Sequence, residues 1–120
     1  MNQPNPPPEG LPLSALDLQV LLVLAGKDLY GYAIMKEVED RSEGLLSPEI
    51  GSLYRVLGRL MDAGWVEEAP PLPEASEGGR GKPRKYYRIT DSGLYVARAE
   101  IRRMEEVLRQ ARKLGPEVAG

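Results

Sequence analysis

Apolar residues crowd the early part of the chain and then settle into helical spacing. Leu16, Val20, Leu21, Val23 and Leu24 lie close together after Ser14, whose hydroxyl can cap a helix, and the run breaks at Gly26. This predicts a largely buried first helix. From Leu29 to Arg41 the apolar positions are Ile34, Met35 and Val38, with Lys36, Glu37, Glu39 and Asp40 on the other side, which predicts a second, amphipathic helix. Ile50, Leu53, Leu57 and Leu60 then recur at three- and four-residue spacing and leave Ser52, Arg55 and Arg59 on the opposite face. Ser47 can cap this third helix, Pro48 suits its first turn, and Gly64 can take the left-handed conformation that ends it. Residues Ser42 to Leu46 form a turn that makes helices two and three a helix-turn-helix unit.

Beyond Gly64 the period changes. Trp65-Val-Glu-Glu68 is short and favours strand, and Lys85 to Ile89 alternates as a stronger strand. Between them, Ala69 to Arg84 holds four prolines and three glycines, so a long hairpin loop joins the two. Thr90 caps a last helix in which Leu94, Ala97, Ile101, Met104, Leu108 and Ala111 follow heptad spacing, widened by Val107 and Leu114. A helix of about 24 residues spans ~36 Å, more than a small domain needs as a lid. The same helix of a second subunit is the simplest partner for those six residues, the other reading being that the stripe packs back on its own domain. The fold class expected is mainly α with a small β-hairpin wing, a winged helix-turn-helix followed by one long C-terminal helix. Its divisions are a disordered proline-rich tail over 1–12, a winged domain over 13–90, a dimerisation helix over 91–114 and a short tail over 115–120. No function is assigned to the first tail, which holds five prolines.

Composition narrows the chemistry. A chain of 120 residues suits one domain, and with no cysteine and no histidine it has no disulfide and neither of these residues to act as nucleophile, base or soft metal ligand, so that carboxylate chemistry alone remains. No metal, no cofactor and no enzymatic activity are expected. Glu67-Glu68 and Glu105-Glu106 are sequence neighbours whose side chains diverge, and Gly79 to Pro83 fails the phosphate-loop pattern. The longest apolar run, Val20 to Ala25, is too short to span a membrane and the N-terminus is unlike a signal peptide, so a soluble, cytoplasmic protein is expected.

Net charge is −2, which by itself argues against nucleic acid, but the distribution reverses the inference. Residues 1–46 and 47–77 carry −4 each and residues 91–120 carry +1, whereas Arg80, Lys82, Arg84, Lys85 and Arg88 place +5 within residues 78–90. An all-basic wing beside an arginine-bearing helix suits duplex DNA: the helix enters the major groove with Arg55 and Arg59 towards base edges, and the wing cations meet flanking phosphates or the minor groove. The competing class is a winged-helix module that binds protein instead, which the acidic total would suit. Trp65, the sole tryptophan, is expected to seat the wing on the helices rather than to serve as a ligand platform.

Four segments in order carry a resemblance. Leu29-Tyr-Gly-Tyr32, Gly51-Ser-Leu-Tyr-Arg-Val-Leu57, Leu60-Met-Asp-Ala-Gly-Trp-Val66 and Arg84-Lys-Tyr-Tyr-Arg-Ile-Thr-Asp-Ser-Gly93 resemble the PadR-like winged-helix transcriptional repressors, over nearly everything after the tail. The resemblance implies a homodimer that binds double-stranded operator DNA through helix three and the wing, and that a small-molecule effector or another signal releases. A single helix after the wing is like the short subfamily, in which that helix builds the dimer. By position, Tyr54 looks like the tyrosine that family members set against the DNA backbone, and Arg55 stands where a proline often follows it. Where some short members stack flat aromatic drugs on a tryptophan of the last helix, the matching residue is Met104.

Overall fold

The computed structural model describes residues 10–71 and 84–119. The chain runs α1 (Ala15–Gly26), β1 (Leu29–Tyr30), α2 (Gly31–Arg41), α3 (Ile50–Asp62), β2 (Val66–Ala69), β3 (Tyr86–Ile89), α4 (Asp91–Lys113) and α5 (Pro116–Ala119). Helix α1 begins where Ser14 Oγ accepts the Asp17 N–H at 3.1 Å. It packs against α2, α4 and β3, which accounts for apolar residues on nearly all its sides. Val20 and Leu21 are fully enclosed, together with Ile34 and Val38 of α2 and Leu53 and Leu60 of α3. Each such side chain contributes about 1.5–3 kcal/mol through burial.

The architecture is the mainly helical winged fold expected, with a sheet one strand larger than a hairpin. Strand β3 lies in the middle, antiparallel to β1 on one side and β2 on the other. Leu29 and Tyr30, read from sequence as the opening of the second helix, pair instead with Tyr87 and Tyr86. The start of α3 also differs: Ser47 does not cap it. Its hydroxyl donates to Glu39 Oε2 on α2 at 2.9 Å, and the helix begins at Ile50 after Glu49, which makes no side-chain cap bond. Ile50 is exposed, and Val56 joins Leu53, Leu57 and Leu60 on the buried face. Gly64 ends the helix as expected, at φ +81°. Within the segment expected as a tail, Leu11 packs on the core and Gly10 lies beside the Trp65 ring. Trp65 itself is half-buried against the core, in the seating role expected of it.

Thr90 joins the sheet to α4. Its hydroxyl donates to Gly64 O at 2.6 Å and accepts the Gly93 N–H at 3.0 Å, while its own N–H donates to Trp65 O at 3.0 Å. These bonds bring α4 so close to the α3–β2 turn that a methyl group on Gly93 would collide with the Trp65 carbonyl and come within 2.7 Å of Ile89 Cγ1. Backbone cannot step aside as a side chain tip can, so Gly93→Ala is expected to destabilise the domain by about 1–3 kcal/mol, read as a lowered urea midpoint.

Helix α4 changes character along its length. Val96, Ala97 and Glu100 are buried in their own domain and Ile101 packs on its edge, whereas Met104, Val107, Leu108 and Leu114 are exposed. Of the six residues expected at a subunit interface, Ala97 is therefore core in its own protomer, and Met104 and Leu108 are open. Buried Glu100 is held by Arg103, which donates to both carboxylate oxygens at 2.8 Å. These bonds keep its pKa below the usual carboxylate range although burial pushes the other way.

Candidate nucleic-acid interface

The local chemistry of the LYGY segment decides where helix three and the wing meet. Tyr30 ends β1 and Gly31 begins α2, and each is covered by a side chain from a different element. Tyr54 of α3 lies over Gly31, where a methyl group would sit 2.5 Å from Tyr54 Oη and 2.8 Å from Cζ. A side chain at position 31 would push that ring from its place. The Arg84 guanidinium lies 4.3 Å from the centre of the Tyr30 ring, and Tyr86 meets the same ring edge-on at 5.6 Å and 66°. This is cation–π geometry, which holds the arginine without using up its hydrogen-bond donors. Two consecutive residues thus bring α3 and the root of the wing together.

On the outer face of α3, Arg55 Nη2 donates to Ser52 Oγ at 3.1 Å, an i, i+3 contact that steadies an otherwise solvated arginine. Tyr54 and Arg55 are exposed and Ser52 is half-buried. Arg84 and Lys85 are exposed where β3 begins, and Arg80 and Lys82 lie outside the described residues. Arg88 is placed differently from the other wing cations: it reaches Asp28 Oδ2 at 3.7 Å, and its Nε is buried without a partner. Burial pushes the Tyr87 hydroxyl above its usual pKa, with Tyr54 and Glu68 adding to the effect.

Arg59 is the candidate whose surroundings depart most from expectation. It donates from Nη1 to Asp17 Oδ2 at 2.7 Å and from Nη2 to Asp17 Oδ1 at 3.1 Å, a forked pair from α3 to α1. The hydrogen bond to that carboxylate raises the guanidinium pKa, outweighing the effect of burial. Asp17 was not singled out from sequence, although an acid within an apolar helix is a visible signal. Tyr30 was not either, because its role depends on pairing with a strand more than fifty residues away.

The surface formed by Ser52, Tyr54, Arg55, Arg84 and Lys85 offers donors and positive charge, the means of contacting phosphates and base edges. Among the described residues no group of three or more aspartates and glutamates could hold a metal ion, and no helix is long and apolar enough to cross a membrane.

Comparison with known proteins gives consistent matches. Residues 20–99 match the model of the transcriptional regulator PadR-like family. An uncharacterised protein of Lysinibacillus sphaericus is 36% identical over 78 residues, which are 65% of this chain and 67% of that one. A transcriptional regulator of Clostridium thermocellum superposes with a TM-score of 0.65 at 25% identity, covering 83% of this chain and 92% of the other. A PadR family regulator of Eggerthella lenta gives 0.59 at 31% identity over 82% and 86% of the two chains. Bacillus subtilis PadR, solved in complex with operator DNA, gives 0.59 at 24% identity over 71% of this chain and 45% of that one, a likeness of fold.

Proposed function

Because this chain belongs to the PadR-like family of transcriptional regulators, we propose that it is a homodimeric repressor that binds an inverted-repeat operator and is released by a small molecule or another signal. DNA binding by a regulator of this family is the general part of the reading. The repressor role, the dimer and the release are its finer parts. The observation that carries it is the meeting of α3 and the wing root on two consecutive residues, with Tyr54 over Gly31 and Arg84 over Tyr30. Solved in complex with operator DNA, Bacillus subtilis PadR supports the same use of this fold here.

In this reading α3 enters the major groove. Arg55, hydrogen-bonded to Ser52, reads a base edge, Tyr54 rests against the backbone, and Arg84, Lys85, Arg80 and Lys82 neutralise phosphates flanking the groove. Pairing rests on the outer half of α4. A groove of about 380 Å³ between α1 and α4 is lined by Leu22, Ala25, Leu94, Ala97 and Ile101 together with Arg98, Arg102 and Glu105, and Met104 and Leu108 lie exposed further along α4. A second copy of α4 covers both and sets two recognition helices ~34 Å apart, one turn of the duplex.

Removing two wing charges, Arg84→Ala with Lys85→Ala, is expected to weaken binding to every duplex alike. The slope of log affinity against log salt should become shallower by up to about 3.6 per dimer, at ~0.9 for each of four phosphates no longer neutralised. A titration of one operator and one random duplex at two salt concentrations measures it. An unchanged slope removes the wing root from the interface, and no duplex binding by the parent protein favours a protein-binding winged helix instead.

A further inference from the structure

Asp17 is the one charged residue of α1, and its carboxylate has little contact with water: the residue is 7% exposed. A carboxylate enclosed in this way must be paired or lose its charge. Its partner lies on the recognition helix. Arg59 meets it with both terminal nitrogens, at 2.7 and 3.1 Å, while 58% of the arginine side chain stays open to solvent. Arg59 follows Arg55 by one helical turn on the same side of α3. The guanidinium fork that fits a carboxylate also fits a phosphate, so Asp17 occupies the donors that DNA would otherwise use. The same pair ties α3 to α1 and limits how far the helix can roll behind Arg55.

We infer that Asp17 is a positioning residue for DNA recognition: by holding Arg59 it fixes α3 against the core and withholds an arginine from the DNA backbone. The inference rests on the proposed DNA-binding function. It separates the two arginines that the helical period places together. Arg55 contacts DNA, and Arg59 keeps the helix that carries it in register. Phosphate contacts are blind to sequence and base contacts are not, so the arrangement raises discrimination at the expense of general affinity.

Asp17→Asn keeps the size of the side chain and removes its charge. The two Arg59 side chains freed in a dimer should raise affinity for a random duplex about 100-fold, about tenfold for each charge-assisted hydrogen bond. The salt slope should steepen by about 1.8 per dimer, one further phosphate on each subunit. With α3 less firmly set, affinity for the operator should rise less, so the operator-to-random ratio falls. Asp17→Asn with Arg59→Gln should return the slope to the parent value, because no cation is then released. All are compared at a temperature where circular dichroism shows the protein folded. A purely structural pair would lower the melting temperature and leave ratio and slope as in the parent, and that result overturns the inference. If Asp17→Asn does not fold, Arg59→Gln alone decides: a reduced ratio without a shallower slope supports the inference, and a shallower slope overturns it by showing Arg59 on phosphate. Absence of salt-dependent duplex binding by the parent overturns the DNA-binding function and the inference with it.

Discussion

Replacing Met104 and Leu108 together by lysine is expected to leave each protomer folded and to weaken operator binding by more than about 100-fold, since the second half-site adds its affinity only when the subunits are joined. The expectation follows from where α4 leaves its own domain. Both residues are 44% exposed in the protomer, so lysine there costs the single chain little, and lysine is a good helix former. In a dimer with α4 paired to α4, the same substitutions put four ammonium groups into an apolar seam. Ile101 is a poorer target, because it packs against its own core and a charge there would confuse unfolding with dissociation. Light scattering gives the mass and titration gives the affinity. A variant that remains dimeric and binds normally places the subunit contact elsewhere.

Arg55→Ala carries the second large effect, and of a different kind. A forked contact with a base edge contributes about 1–3 kcal/mol of discrimination, so the preferred operator should be favoured over its variants at one position per half-site by roughly 5- to 150-fold less. Binding to unrelated duplexes should change little in comparison. Ser52, which accepts from Arg55 at 3.1 Å, is expected to give a weaker version of the same phenotype as Ser52→Ala, through lost orientation. A uniform loss across all sequences would make Arg55 a phosphate contact and move base reading to another residue of α3.

Helical period and capping were enough to locate most elements. Gly64 and Thr90 stand where the structure ends α3 and begins α4, and the buried faces of α2 and α3 follow the spacing of Ile34 with Val38 and of Leu53, Leu57 and Leu60. What escaped depends on partners distant in sequence. A two-residue strand has no period to read, and Leu29–Tyr30 is a strand only because Tyr86 and Tyr87 lie beside it. The hydroxyl of Ser47 donates to Glu39 instead of accepting an N–H from the helix it precedes, which became apparent only when α2 and α3 were side by side.

The candidate surface was legible in part for the same reason. Charge counting pointed to Arg84 and Lys85 and helical spacing to Arg55, and all three are exposed. Spacing also grouped Arg59 with Arg55, because it reports which side of α3 a residue occupies and is silent about Asp17 beneath it. Likewise the heptad pattern of α4 ran unbroken from Leu94 to Ala111, while the structure divides it into a half that completes the protomer's core and a half left open.

Selection of bound duplexes from a random pool, repeated at low and moderate salt, tests most directly whether α3 and the wing recognise DNA. The sequences recovered should converge on an inverted repeat whose half-sites lie about 10 bp apart or a multiple of that, with affinity falling steeply as salt rises. A pool that remains unenriched, or retention that is indifferent to salt, would contradict DNA recognition by this surface.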